Sequence, residues 1–103
     1  MIVVKIVFDS NMGTTFSDNL VKQLPENVSI ELYDAAYTKS KKTGFKVKNA
    51  FGARLNPFVG IFKDKSILKG FYSEDTKTFT IDNIINYLKN LNNESTNSQQ
   101  IEQ

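Results

Sequence analysis

The fold is decided by one stretch in the second half of the chain, residues 56–65, NPFVGIFKDK. An apolar run rich in β-branched and aromatic side chains follows Pro57, and such a run is typical of a buried strand. The polar residues 64–66 predict a tight turn, and residues 67–72 predict a second strand. Because the link is short, the two strands should be antiparallel, so the stretch predicts a β-hairpin that begins at Pro57.

Two more strands are predicted in the first third of the chain. Residues 2–8 form an uninterrupted apolar run, which indicates a strand buried on both faces. Residues 28–33 alternate apolar and polar side chains and predict another strand. A helix is predicted between them, capped by Thr14, Thr15 or Ser17 and ending near Leu24. A right-handed crossover through this helix makes the two strands parallel.

Two further helices complete the pattern. Thr43 is expected to cap a short helix that ends at Gly52. The apolar face of that helix is expected to consist of Phe45, Val47 or Lys48, and Phe51. Thr80 is expected to cap a last helix from Ile81 to about Leu91, with the apolar stripe Ile81, Ile84, Ile85, Leu88 and Leu91.

The order of elements is therefore β-α-β-α-β-β-α, which predicts an α/β fold: a four-stranded mixed sheet with helices on both faces. The length of 103 residues fits one domain. We assign residues 1–92 to this domain and the polar residues 93–103 to a flexible C-terminal tail. Either the strand at 28–33 or the strand at 67–72 is expected to be an exposed edge of the sheet.

This order of elements, together with residues 56–65, resembles the thioredoxin and glutaredoxin families over roughly residues 2–91. In those families a cis-proline opens the third strand and faces the active-site loop, which makes Pro57 the cis-proline by resemblance. Gly70 also resembles the glycine that these families carry in the fourth strand. The resemblance implies a thioredoxin-like fold.

The chain departs from these families where their chemistry lies. Their paired cysteines sit between the first strand and the first helix, where this chain carries residues 10–15, SNMGTT. The equivalent four residues are either 11–14 or 12–15, and neither choice contains a cysteine. The whole chain has none, and the thioether of Met12 cannot form a disulfide. Thiol–disulfide exchange is therefore excluded, as are haem, iron–sulfur and glutathione-linked roles that depend on the active-site cysteine of these families. We expect that the protein is not an enzyme.

A protein-binding surface is what the resemblance still implies. In these families peptides bind along the active-site loop and the residue before the cis-proline. By resemblance, that surface here consists of Asn11, Met12, Asn56, Pro57 and Phe58. The backbone of Asn56 would pair with an extended peptide, and Met12 and Phe58 would supply apolar anchors. The leading hypothesis is a redox-inactive interaction module, serving as an accessory subunit or a structural adaptor.

A basic segment supports a different hypothesis. No acidic residue occurs between 35 and 63, and aromatic residues are interleaved with a run of cations. The predicted patch consists of Lys39, Lys41, Lys42, Lys46, Lys48 and Arg54. Such a segment is typical of a solvated face, a surface for an acidic protein, or a nucleic-acid-binding face. The alternative function is therefore a nucleic-acid-associated or particle-associated basic module.

Other chemistry has little support in the sequence. The chain has no histidine, so Ser-His-Asp catalysis and a histidine general base are excluded, and a metal site would need oxygen ligands alone. Asp9 and Asp34 follow predicted parallel strands, where a pair of carboxylates can hold Mg²⁺ or act in acid–base chemistry. With no further acidic partner and no histidine, strand-end turns and helix capping are the favoured explanation of both residues. The loop before the first helix is suited to helix capping or to an anion. We expect no cofactor and no metal.

The compartment is predicted from what the sequence lacks. The N-terminal apolar run is too short for a signal peptide and contains Lys5, and no stretch has the length of a membrane span. We therefore expect a soluble, cytoplasmic protein that does not bind membranes.

Overall fold

The computed structural model describes the backbone of residues 1–102 and the side chains of residues 1–91. Its helices and strands follow the predicted order. They are β1 (Ile2–Phe8), a single 3-10 turn (Ser10–Met12), α1 (Thr15–Gln23), β2 (Val28–Asp34), α2 (Thr38–Ala50), β3 (Phe58–Lys63), β4 (Ser66–Tyr72) and α3 (Ile81–Glu102). The predicted α/β class and the order β-α-β-α-β-β-α are confirmed.

The strands form one four-stranded mixed sheet in the order β2-β1-β3-β4. β1 pairs in parallel with β2, with Ile2 opposite Val28, because α1 carries the chain back across the sheet. β1 pairs antiparallel with β3, and β3 pairs antiparallel with β4 through the predicted hairpin. Both strands that were expected to be candidate edges, β2 and β4, are edges of the sheet.

Helices cover both faces of the sheet, as predicted. On one face, α1 and α3 pack against β1, β3 and β4 in a cluster of buried side chains: Val4, Ile6, Leu20, Val59, Ile61, Phe71, Ile84, Ile85 and Leu88. On the other face, α2 and the segment after it form a smaller cluster of Val7, Val47, Ala53, Phe58 and Phe62. Because successive side chains of a strand point to opposite faces, β1 and β3 each contribute residues to both clusters.

Helix α2 differs from its prediction. It begins at Thr38 rather than near Thr43, and its N-cap residue Tyr37 makes no side-chain capping bond. Phe45, expected on the inner face, is 58% exposed. Gly44 instead faces the sheet, so closely that a Cβ there would lie 2.8 Å from Cγ1 of Val7. The predicted termination is confirmed, since Gly52 has a φ of 69° just beyond the helix.

Helix α3 begins as predicted and ends later. The N–H of Asn83 donates to Oγ1 of Thr80 at 3.1 Å, which confirms the cap. The helix continues in its backbone to Glu102 rather than ending near Leu91. The side chains of the predicted tail, residues 93–103, lie outside the described residues, so the division between domain and tail stays a prediction.

Among the helices that the structure describes, none combines the length and the hydropathy needed to cross a membrane.

Candidate functional site

A groove of about 220 Å³ opens at the end of the sheet where β1 ends and β3 begins. One wall is the loop after β1 and the first turn of α1, and the other is the segment that leads into β3. The lining residues are Phe8, Asp9, Met12, Gly13, Thr15, Phe16, Ser17, Asn56 and Pro57. The structure thus brings Met12, Asn56 and Pro57 together, as the sequence hypothesis requires.

The loop wall of the groove is held by its own backbone and by one carboxylate. Oδ1 of Asp9 accepts the N–H of Asn11 at 2.9 Å, and the carbonyl of Asp9 accepts the N–H of Met12 at 2.9 Å. Gly13 closes the turn with a φ of 107°, a region that side chains disfavour. The Met12 side chain is left 78% exposed at the rim.

Asp34, at the end of β2, fastens the same loop to the sheet. Its Oδ1 accepts the N–H of Ser10 at 3.0 Å and the N–H of Ala36 at 3.0 Å. The bond from Ser10 is the main reason that the pKa of Asp34 is lowered, with desolvation opposing it and Ala36 adding to it. Both Asp9 and Asp34 therefore bind backbone N–H groups. In the part of the chain whose side chains are described, no group of three or more acidic residues is placed to hold a metal.

The second wall carries the predicted proline. The Asn56–Pro57 peptide bond is cis, as the resemblance implied. Oδ1 of Asn56 accepts a hydrogen bond from Nζ of Lys48 at 2.8 Å, and the same ammonium donates to the carbonyl of Arg54 at 3.4 Å. These bonds hold the Asn56 side chain toward α2. Within the described residues, no hydrogen bond is formed by the backbone N–H or C=O of Asn56.

Two of the five residues predicted for the partner surface do not line the groove. Phe58 is 0% exposed and packs on the α2 side of the sheet, 5.1 Å from the ring of Phe51 and 5.3 Å from that of Tyr72. Successive side chains of a strand point to opposite faces, so Phe58 cannot share a surface with Pro57. Its prediction as an apolar anchor is wrong. Asn11 is exposed on the 3-10 turn, outside the groove.

Six residues that line the groove were not predicted for this surface: Phe8, Asp9, Gly13, Thr15, Phe16 and Ser17. Phe8 and Phe16 are half-buried, and Ser17 is almost fully buried. The ring of Phe16 stacks on Phe79 with centroids 4.6 Å apart, which ties the first turn of α1 to the segment before α3. The available signal was their position at the end of β1 and the start of α1, next to the loop already singled out.

The predicted basic patch is exposed at five of its six positions. Lys39, Lys41, Lys42, Lys46 and Arg54 are exposed, but Lys48 is 8% exposed and belongs to the interior. Burial is the main cause that lowers the pKa of Lys48, and the nearby charge of Lys41 adds to it. Including Lys48 in a surface patch was therefore wrong. An open depression on α2 is lined by Thr38, Lys41, Lys42, Phe45 and Lys46.

No family model and no curated protein matches the chain. Two chains of solved structures match it. One of these, described as "Structure of a malarial protein", is 18% identical, with a match that covers 74% of this chain and 89% of that chain at a TM-score of 0.44. A likeness at this level carries no argument about function.

Proposed function

We propose that the chain is a redox-inactive, thioredoxin-like protein–protein interaction module, an accessory subunit or structural adaptor, that binds an extended segment of a partner in the groove beside Pro57. Without cysteine the groove has no thiolate, so it serves binding rather than thiol–disulfide exchange.

The observation that carries this proposal is the backbone of Asn56. Its N–H and C=O make no hydrogen bond within the described residues, although Asn56 lines the groove and precedes β3. A pair of main-chain groups that strand pairing leaves open is what an extended peptide needs for β-type hydrogen bonds. Lys48 supports this arrangement because it holds the Asn56 side chain on the α2 side.

The remaining lining favours a peptide side chain over a cofactor. Phe8, Phe16 and Pro57 offer apolar surface, and the flexible thioether of Met12 stands at the rim. A volume of about 220 Å³ is below that of ordinary small-molecule sites, which start at roughly 300 Å³. We therefore expect the partner to insert one apolar side chain between Met12 and Pro57, while its backbone pairs with Asn56.

The test is affinity capture from the native source, with and without nuclease, read by mass spectrometry. We compare the wild type with a Met12→Asp, Asn56→Lys double variant. Ile67→Asp is the matched control, because Ile67 is also an exposed aliphatic residue, 48% exposed, but lies at the hairpin end of the sheet. The proposal expects a stoichiometric, nuclease-resistant protein that the double variant loses and the control keeps.

A second measurement locates the contact. Backbone amide shifts in ¹⁵N spectra, recorded with the captured partner, should change mainly over residues 9–17 and at Asn56. Retention of the partner by the double variant, or shifts confined to α2, would show that the groove is not the binding surface.

The nucleic-acid-associated or particle-associated module remains the second candidate, and one observation favours it. Lys41, Lys42 and Lys46 line an open depression together with the exposed ring of Phe45, and none of the three lysines forms an ion pair among the described residues. Aromatic rings among cations can hold single-stranded nucleic acid. Binding of an oligothymidylate that falls steeply with salt, and that Lys42→Glu weakens, supports this function. Binding that does not depend on salt, or no binding, would contradict a nucleic-acid-associated function.

A further inference from the structure

The two edges of the sheet are built differently. β4 has an irregular register opposite Ile61 and Phe62, and it carries Lys69 and Gly70 within the strand. Bulges and lysines are devices that prevent an edge from pairing with another chain. β2 is seven residues long, pairs with β1 in unbroken register, and contains no lysine, proline or glycine. The β2 edge therefore lacks the protection that the β4 edge has.

The free side of β2 can be derived from one hydrogen bond. The N–H of Ala35, just beyond the strand, donates to the carbonyl of Phe8 at 2.7 Å and so points toward β1. Main-chain groups alternate in direction along a strand, so those of Ile30 and Leu32 point away from β1, toward the edge. Within the described residues, neither Ile30 nor Leu32 forms a backbone hydrogen bond outside the sheet.

The side chains of the same two residues form an apolar stripe. Ile30 pairs with Val4 and Leu32 with Ile6, so both point to the face that carries α1 and α3. They remain 39% and 49% exposed, beside the partly buried Val28. An edge strand with open main-chain groups and adjoining apolar side chains is a template for another strand.

We propose that a second copy of this chain pairs with β2 through an antiparallel β2–β2 contact, which joins two sheets into one about a two-fold axis. In an antiparallel pair, residues directly opposite each other point to the same face of the sheet. The two-fold axis must therefore pass through a residue of β2 and not between two residues. Centring the axis on Ile30 places Ile30 opposite Ile30 of the other copy and Val28 opposite Leu32. On the face that carries α1 and α3, aliphatic side chains then meet aliphatic side chains.

Charge selects this register over its neighbour. Centring the axis on Glu31 would set two glutamates directly opposite each other, which is destabilising. With the axis on Ile30, Glu31 lies opposite Ser29 of the other copy. Each Glu31 also keeps its intrachain partners, the ammonium of Lys5 at 3.6 Å and the hydroxyl of Tyr33. Within residues 28–32 the contact therefore matches aliphatic with aliphatic side chains and sets no two like charges directly opposite each other.

The experiment is sedimentation equilibrium of the full chain from about 10 μM to about 1 mM, a range in which weak contacts dissociate. The proposal expects the mass to rise from 11.7 kDa toward twice that value. Leu32→Lys should raise the dissociation constant at least about tenfold, and Ile67→Lys, the equally exposed position on β4, should leave it unchanged. Circular dichroism establishes that both variants are folded.

Introducing a charge of either sign at Ser29 tests the register of the β2–β2 contact. Ser29→Lys should tighten the dimer because it faces Glu31 of the other copy, and Ser29→Glu should weaken it. A monomer at every concentration, a dimer that Ile67→Lys dissociates and Leu32→Lys does not, or equal effects of the two Ser29 variants would each overturn the proposal.

Discussion

At the scale of the residue, Asp34 gives the loop beside the groove a dependence on pH. Its pKa in the folded chain is lower than the ordinary 3.8, mainly through the hydrogen bond from the Ser10 N–H. Folding therefore favours the ionised carboxylate, and this contribution is present above the ordinary pKa and lost as the pH falls through the lowered value. Asp34→Asn, which keeps an acceptor but not the charge, should be less stable than the wild type near neutral pH.

Urea unfolding of Asp34→Asn and the wild type from neutral pH down to about pH 2 checks this, since the gap in unfolding free energy should shrink over the acid range. Asp34→Ala, which has no acceptor, should be less stable than Asp34→Asn throughout. A gap between wild type and Asp34→Asn that stays constant with pH would contradict the role of the charge.

Four single residues show which features of the candidate site could be predicted from the sequence. Pro57 and Met12 were placed by resemblance, and the structure puts both on one groove. The predictions for Phe58 and Lys48 were wrong because the type of a residue does not determine where its side chain points. A phenylalanine next to a surface proline points to the opposite face, and a lysine can be buried when carbonyl and amide oxygens accept its hydrogen bonds.

At the scale of the element, one aromatic ring joins the end of α2 to the hairpin. Gly60 and Gly70 lie opposite each other on β3 and β4, and Phe51 lies over both. A Cβ at Gly60 would be 2.8 Å from Cε2 of Phe51, and one at Gly70 would be 2.9 Å from Cδ1. The hydroxyl of Tyr72 donates to the Phe51 carbonyl at 2.7 Å and limits how far the ring can move.

Gly60→Ala and Gly70→Ala should therefore each lower the unfolding free energy by about 1–3 kcal/mol through overpacking. In a Phe51→Ala background the same substitutions should cost less, because the cavity accepts the added methyl group. Double-mutant cycles measured by urea unfolding give this coupling directly. Purely additive costs would mean that Phe51 does not occupy the space above the glycines.

The strands were predictable to within about a residue because β-branched runs bounded by turns carry a strong local signal. The start of α2 could not be predicted in this way, because the face of the helix that packs on the sheet contains Gly44, Val47, Lys48 and Phe51. These residues have helical spacing but include a glycine and a lysine, so they lack apolar periodicity. Gly44 packs close to Val7, and Phe45, the next residue along the helix, is exposed.

At the scale of the whole molecule, the order of elements was enough to predict one sheet with helices on both faces. Crossover handedness and the short hairpin leave few ways to connect the elements. The groove could be anticipated only through the resemblance, because its walls come from segments about 40 residues apart in sequence that meet at one end of the sheet. The self-pairing proposed for β2 likewise depends on which strands are edges, which the structure supplies.

The extent of the folding unit gives a prediction at the same scale. Among the described side chains, α3 contributes Ile84, Ile85 and Leu88 to the core, and Leu91 is only partly buried beside it. These positions span the first turns of α3, a length ordinary for a helix that packing stabilises. Deleting residues 93–103 should therefore leave the unfolding free energy in urea unchanged to within about 0.5 kcal/mol. A loss above about 1 kcal/mol would show that the later turns of α3 belong to the cooperative unit.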